Sequence, residues 1–279
     1  MAEGLVIAEW GESESEGCIC RGGRKIIGLE FDVFDRPINI QVNISSEEAG
    51  LADIIPLAWS ISAKIADLAV ERIREEGGQV PCCLGCSPCC CYLVPVSVPE
   101  VFRMMEGILN IPAGSRRVML RRCLLAARRV LSKRPPKFFA DQSEGTQSVS
   151  ENERNRVANW YSCLKLVCPF LHRNNCTIYE SRPLACREHF VKGSARGCRG
   201  GRGTAEVIEM PVQMPEALGL LASEFEGRGM EAVMIPLMPA WYEENKQRSE
   251  KKYPAVAMVE RLGEILKTMA EKKAVLSTT

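Results

Sequence analysis

Residues 82–91 read CCLGCSPCCC, and this stretch decides how the middle of the chain can fold. It holds six of the 14 cysteines, whereas the whole chain has only two histidines. Within it, Cys83, Cys86 and Cys89 follow one another with two residues between them. A tight loop can turn thiolates at this spacing toward one centre, and thiolates suit zinc, cuprous copper and iron–sulfur clusters. The stretch therefore predicts an irregular, metal-stapled cysteine core.

A second group of cysteines lies between residues 168 and 198. Cys168 precedes a proline, like the remote cysteine that completes a cluster site in bacterial ferredoxins. A cluster held by four thiolates is anionic, so guanidinium groups near Cys186 could donate hydrogen bonds to its sulfurs. Arg182 and Arg187 are the candidates for this role, and a pair of structural salt bridges is the alternative interpretation.

The two groups together resemble the YkgJ-type CxxCxxCC cysteine-cluster family, whose pattern continues with CPFL, CxIYxxRPxxCR and a final cysteine. Here residues 168–171 read CPFL and residues 176–187 read CTIYESRPLACR. Ser87 departs from the pattern, because the family usually has a glycine at that position. The resemblance implies a zinc- or iron-chelating domain. The flagellin lysine N-methylase family has a similar set of cysteines. The matching cysteines are Cys83, Cys86, Cys89, Cys90, Cys168, Cys176, Cys186 and Cys198.

Eight thiols are more than one centre needs, because a tetrahedral metal or a 4Fe–4S cluster takes four. Two mononuclear sites, one cluster with spare thiols, and a cluster beside a zinc site all stay open. The ferredoxin-like spacing and the resemblance favour a 4Fe–4S cluster, with zinc as the alternative. Four further residues are auxiliary candidates: Cys82, Cys91, His172 and His189.

The remaining four cysteines have weaker patterns. Cys18 and Cys20 form a C-x-C near the start of the chain and could be a redox pair or auxiliary ligands. Cys123 and Cys163 each fall on the apolar side of a predicted helix, so we expect both to be buried core residues without a ligand.

Hydrophobic periodicity predicts a mainly α-helical protein with a small N-terminal β element. The predicted segments are 1–80, with a β-hairpin and a helix, 81–203, the cysteine-cluster domain, and 204–279, an α/β extension. The alternation between Arg24 and Ile44 predicts the hairpin. Ser45 and Glu48 are placed as a capping box for the first helix, with Pro56 expected to break or kink it. Ser97 and Glu100 are placed as a second capping box.

Composition narrows the function only partly. The formal net charge is +1, with 46 % hydrophobic residues, which is typical of a globular protein. No P-loop, HExxH, Ser-His-Asp order or Rossmann glycine loop is present. Two classes stay open: a non-catalytic metal protein in a redox, sensing or accessory role, and an S-adenosylmethionine-dependent protein-lysine methyltransferase.

The surroundings of the protein are predicted from charge and hydropathy. The segment Arg116 to Lys137 is basic without acidic residues, so it is a candidate surface for an acidic protein partner, whereas nucleic acid is disfavoured. No apolar run long enough to span a bilayer is present, because Asp53, Lys64 and Asp67 interrupt the longest one. Without a secretory signal, the reducing cytoplasm is the expected compartment.

Overall fold

The structure, a computed structural model, describes residues 5–10, 19–21, 24–133, 151–199 and 205–277. It is mainly helical, with an N-terminal β-hairpin and small two-stranded sheets, as the sequence predicts. The helices of the described residues are α1 (Ile55–Glu75), α2 (Val98–Asn110), α3 (Ala113–Ser132), α4 (Glu151–Cys163), α5 (Leu184–Arg187), α6 (Met214–Glu226), α7 (Met238–Ser249) and α8 (Ala255–Ser277).

The predicted hairpin is the centre of a four-stranded antiparallel sheet with the order β1-β4-β3-β2. Phe34 and Asp35 form its turn with φ of 54° and 59°, the left-handed conformation that tight two-residue hairpins require. The sheet strands are β1 (Leu5–Trp10), β2 (Ile19–Arg21), β3 (Arg24–Val33) and β4 (Arg36–Ile44). Cys20 lies in β2, and Cys18 lies outside the described residues.

Helix α8 covers the buried face of this sheet. Its backbone comes so close to β3 that a Cβ on Gly263 would stand 2.6 Å from Cδ2 of Leu29. The Leu29 side chain thus fills the space beside Gly263, and any larger residue here would require this side chain to shift. One hydrophobic cluster includes residues of all three predicted segments, among them Ile40, Phe102 and Leu262. The division into three domains remains a prediction.

Short strands far apart in the sequence pair and close the fold. The small strands are β5 (Glu48–Ala49), β6 (Pro95–Ser97), β7 (Leu171–His172), β8 (Asn175–Cys176), β9 (Val191–Gly193), β10 (Ala205–Val207), β11 (Ala232–Met234) and β12 (Tyr253–Pro254). Antiparallel pairs form between β5 and β12, β6 and β11, β9 and β10, and β7 and β8. Among the described residues, no helix is both long and apolar enough to cross a bilayer.

Two local predictions about helices were wrong. Helix α1 begins only at Ile55, and Pro56 lies in its first turn, where the missing N–H costs nothing and no kink follows. The capping interaction before it joins Gly50 and Asp53 instead of Ser45 and Glu48. In contrast, the capping box at Ser97 opens α2 as predicted.

Candidate metal centre

The first cysteine segment folds as two successive tight turns. The Cys86 N–H donates to the Cys83 carbonyl at 3.1 Å, and Gly85 at φ 86° allows this turn. A short 3-10 helix over Pro88–Cys91 follows, and the Tyr92 N–H closes it. These turns fit the glycine and proline between the cysteines, and they place the thiols of one short segment on several sides of it.

The second cysteine segment is a series of short elements that each end near a cysteine. Cys168 opens a turn that the Leu171 N–H closes at 3.0 Å. The hairpin of β7 and β8 then ends at Cys176, while α5 contains Cys186. Cys198 lies in a final 3-10 turn over Gly197–Arg199. Regular secondary structure would space these residues too far apart, so the irregular backbone is what lets them approach one another.

Hydrogen bonds join the two segments. The Cys168 N–H donates to the Cys90 carbonyl at 2.7 Å, which is the most direct link between them. Behind the cysteines, the Gly193 N–H donates to the Gln79 carbonyl at 2.9 Å. Segments that are distant in sequence therefore meet in space at the predicted cysteine core.

Five thiols form an inner group at this junction. Cys89 and Cys90 share a side-chain hydrogen bond, which lowers the pKa of Cys89 and raises that of Cys90, because Cys90 keeps the proton. Burial raises the pKa of Cys168 to about 11. Burial also raises the pKa of Cys186, and the neighbouring thiols of Cys168, Cys89 and Cys176 add to this. Cys168 and Cys186 thus resist ionisation, because both are buried and lie near other thiols.

Backbone N–H groups favour the ionised form of two of these sulfurs. The N–H groups of Phe170 and Leu171 lower the pKa of Cys168, and the N–H group of Ile178 lowers the pKa of Cys176, in each case against the rise caused by burial. Such donors stabilise the ionised sulfur, and they tune thiolate ligands in metal centres.

A second, outer group lies beside the first. Burial raises the pKa of Cys82, the Val191 N–H opposes this, and the thiols of Cys86, Cys89 and Cys198 raise it further. Cys83, which the resemblance places among the ligands, is exposed. The Cys91 thiol donates to the Pro88 carbonyl at 3.2 Å, inside its own turn. Cys82 is therefore closer to the other thiols than its flanking position in the sequence indicated.

The arginines near Cys186 occupy different surroundings. The Arg182 guanidinium stacks on the Tyr179 ring at 4.1 Å, and its charge favours the ionised forms of Cys89 and Cys176. Its Nε is buried and has no hydrogen-bond partner among the described residues. Arg187 instead donates to the carbonyls of Arg182 and Glu180 and stacks on a tryptophan.

The two histidines have different neighbours. Nδ1 of His172 lies 3.1 Å from Nη2 of Arg122 on α3. His189 packs edge-on against the Tyr92 ring at 5.8 Å, and burial lowers the pKa of His189. Neither contact involves a thiol, so the auxiliary role of the two histidines remains a prediction.

The donor set fits a soft metal in kind. Within the described ranges, no three Cys, His, Asp or Glu side chains stand in an arrangement that could hold a metal ion as they are placed. The thiols of Cys89 and Cys176 nevertheless raise the pKa of both Cys168 and Cys186. The charge of Arg182, whose Nε is buried and unpartnered among the described residues, favours the ionised forms of Cys89 and Cys176. An anionic thiolate-ligated centre requires thiolates and nearby hydrogen-bond donors, and this region has thiols, backbone N–H groups and the unpartnered Nε of Arg182. Binding would have to draw the sulfurs closer together.

Sequence reasoning missed one neighbour of the thiols and misjudged one cysteine. Burial raises the pKa of Tyr161 to about 12, with a further contribution from Cys168 and Cys91, so this α4 tyrosine lies beside the centre. Cys123 is fully buried as predicted, but Cys163 at the end of α4 is exposed, so that prediction was wrong. Cys163 is the last residue of α4, and its side chain is exposed at the end of the helix.

Comparisons of the chain with models of known protein families, with curated proteins and with solved structures find no match. The functional interpretation therefore depends on the chemistry of the residues themselves. The most informative of them are the inner thiols Cys89, Cys90, Cys168, Cys176 and Cys186, with Arg182 beside them.

Proposed function

We propose that this chain is a metal-binding cysteine-cluster protein that holds a 4Fe–4S cluster, as the resemblance to the YkgJ-type family also suggests. The inner cysteines would be the principal ligands, drawn from the set Cys89, Cys90, Cys168, Cys176 and Cys186. When bound, such a cluster supplies one-electron transfer or a redox-sensitive structural element. The protein would serve in a redox, sensing or accessory-subunit role in a reducing compartment such as the cytoplasm.

The observation that best supports this proposal is the buried Nε of Arg182, which is one of four buried side-chain polar atoms without a hydrogen-bond partner among the described residues and belongs to the guanidinium whose charge acts on the thiols. A buried donor without an acceptor costs about 1–3 kcal/mol, so it is rarely left unpaired. The Arg182 charge already acts on Cys89 and Cys176. A sulfur ligand of an anionic centre would provide the missing acceptor.

The thiols fall into an inner and an outer group, and we assign the proposed cluster to the inner group. Cys82, Cys86 and Cys198 form an outer group that adjoins the inner group at Cys89, and these outer thiols could hold a zinc ion or remain reduced. Arg182 would orient and stabilise the inner thiolates, and Arg187 would hold the backbone of the Glu180–Arg182 turn in place through its carbonyl contacts.

The test is purification without oxygen, followed by metal and sulfide analysis and a visible spectrum. We expect iron and acid-labile sulfide, with broad absorption at about 400 nm. Cys168→Ser and Cys186→Ser should lose most of the metal, whereas Cys163→Ser, at an exposed position, should keep it. A colourless protein with stoichiometric zinc would contradict the cluster and identify the metal as zinc. Full metal content in Cys168→Ser would refute the pairing of the two segments.

The role of Arg182 can be tested separately. Arg182→Met should release metal to a chelator about 10–100 times faster than wild type, because groups that hydrogen-bond to ligands contribute this much to metal affinity. Arg196→Met is the control, since Arg196 is exposed. Equal release rates for the two variants would remove Arg182 from the centre.

The methyltransferase alternative depends only on the resemblance. Calorimetry with S-adenosylmethionine distinguishes it, because a methyltransferase must bind this cofactor. We expect no saturable binding. A micromolar dissociation constant would instead favour the enzyme, with the cysteine centre in a structural role.

A further inference from the structure

The outward face of α3 has an unusual set of exposed side chains. Four of the ten large apolar side chains that are exposed in the described part of the chain lie on this one helix. They are Val118, Leu124, Leu125 and Leu131, each 52–57 % exposed. Single exposed apolar residues are normal, but a group of four on one helix indicates a surface that another molecule covers.

The same face is strongly basic. Helix α3 has six arginines, no lysine and no acidic residue. Within the described residues, no ion pair or hydrogen bond engages the side chains of Arg117, Arg121 or Arg128. Arginine is enriched and lysine depleted at protein interfaces, because the planar guanidinium can bind a carboxylate through two parallel hydrogen bonds. The composition therefore favours an interface over a merely solvated helix face.

Helical geometry orders these residues into three rows. Positions four and seven apart lie almost above one another, so Arg117, Arg121 and Arg128 form a central row. Leu124 and Leu131 lie along one side of this row, and Val118 and Leu125 lie along the other. A line of positive charge is thus bordered by apolar side chains on both sides.

We propose that the outward face of α3 docks an acidic amphipathic helix of a partner protein. The partner would present a central row of carboxylates to Arg117, Arg121 and Arg128, with apolar residues packing on both leucine-containing edges. This pattern is the reverse of a helix that lies on a membrane, where the apolar side chains occupy the centre and the cations the edges. Nucleic acid fits less well, because phosphates would leave the four apolar side chains uncovered.

A groove beside α3 extends the surface. It has a volume of about 690 Å³ and lies between the end of α2, the start of α3 and the segment 169–181. Val118 lines the groove and also belongs to the outward face. The ionisable residues in the groove lining are Arg103, Arg122 and His172, without a carboxylate. The groove therefore offers a pocket for one apolar anchor of the same acidic partner.

The test uses a defined peptide and the full chain. The probe is a fluorescent helical peptide of about 20 residues with glutamates along one row and leucines on both sides of it. A peptide of the same composition in scrambled order controls for net charge. A single-stranded RNA of similar length and vesicles containing phosphatidylserine are measured in parallel by anisotropy and by sedimentation.

We expect the patterned peptide to bind in the micromolar range and the scrambled peptide to bind at least about tenfold more weakly. The triple variant R117E/R121E/R128E should weaken binding about tenfold or more, and L124S/L125S about fivefold. R196E/R228E, with exposed arginines elsewhere, should bind like wild type. Circular dichroism and metal content of each variant confirm that fold and cysteine centre are unchanged, so a failure here does not touch the proposed function.

Three results would overturn the proposal. Equal binding of patterned and scrambled peptides would mean attraction by net charge alone. Tighter binding of the RNA or the vesicles than of the peptide would assign the face to that class of ligand instead. Absence of peptide binding at about 100 μM would leave the face without the proposed partner, because specific helix docking is stronger than this.

Discussion

Glu100 is a single residue that ties the cysteine core to the helical body. Its side chain is 1 % exposed, and one carboxylate oxygen accepts the Leu184 N–H at 2.7 Å, just before Cys186. The other oxygen accepts the N–H and the hydroxyl of Ser97 at 3.1 and 2.7 Å. Burial raises the pKa of Glu100, and these donors oppose that rise. The carboxylate thus fixes the start of α2 and the start of α5 at once.

Replacement of this carboxylate should be costly. In Glu100→Ala the buried N–H groups of Ser97 and Leu184 lose their acceptor, so we expect the free energy of unfolding to fall by about 3 kcal/mol. Urea denaturation measures the change. Glu106→Ala on the same helix is the control, because its pair with Arg103 is partly exposed and contributes less than about 1 kcal/mol. Equal losses in both variants would contradict this role of Glu100.

Glu100 also shows what the sequence could and could not reveal. Its position three residues after Ser97 predicted the capping box, because that interaction is local. Its bond to Leu184 joins positions 84 apart in the chain, and no local pattern signals such a contact. The same holds for the buried Nε of Arg182. In contrast, the two-residue spacing of Cys83, Cys86 and Cys89 is a local pattern and is visible in the sequence.

At the scale of elements, long-range pairing overrides local signals. Ser45 and Glu48 match a capping box, but Glu48 lies in β5, which pairs with Tyr253 and Pro254 of β12. The Ala255 N–H extends this link by donating to the Glu47 carbonyl at 2.9 Å. The strand pairing holds the backbone extended, so the helix cannot begin there.

Helix α7 lies in the segment 204–279, which the sequence predicted only as an α/β extension, and local signals fail here for a related reason. It has few buried apolar residues, so it lacks the stripe by which a helix is predicted. What fixes it instead is Arg248, which is 8 % exposed and donates to Glu226 at 2.6 Å and to Glu231 at 2.8 Å. Charged residues at these positions look like a solvated surface until the tertiary contacts are known.

This buried ion network should be essential to the packing of α6 and α7. Arg248→Met leaves the carboxylates of Glu226 and Glu231 without a counter-charge, which should cost about 3–5 kcal/mol of unfolding free energy. The control is Arg261→Met, because Arg261 pairs with Glu224 on the surface and should matter by less than about 1 kcal/mol. A midpoint of thermal unfolding that is lowered equally in both variants would contradict a special role for the buried network.

The whole molecule is closed by the contact between its two ends, where α8 packs on the N-terminal sheet. Gly263→Ala would place a methyl group 2.6 Å from Cδ2 of the buried Leu29, so overpacking should outweigh the helix propensity of alanine. We expect a net loss of about 1 kcal/mol. Gly107→Ala in α2 meets no atom within 4 Å and should stabilise the protein by up to about 1 kcal/mol. If Gly263→Ala and Gly107→Ala shifted the denaturant midpoint in the same direction, the Leu29 side chain or α8 would be able to move and make room for the methyl group.

Stability is unevenly distributed between this apolar core and the cysteine core. No residue of the first cysteine segment, 82–91, is buried, whereas Ile40, Ile61 and Leu262 are almost completely buried in the apolar core. The second cysteine segment is anchored in the apolar core by Phe170 and Leu184, so the order of residues 82–91 should depend most on the proposed metal. The N-terminal sheet and α8 should not depend on it.

Hydrogen exchange before and after chelation tests this division. Metal removal should speed amide exchange most in 82–91, because no residue there is buried and few other contacts hold its turns. The amides of β3, β4 and α8 should keep their protection, since their core consists of apolar side chains. Cys163→Ser should respond to chelation like the wild type. If α8 lost protection to the same extent as the cysteine segments, the metal would stabilise the entire fold, and the two cores would unfold as one cooperative unit.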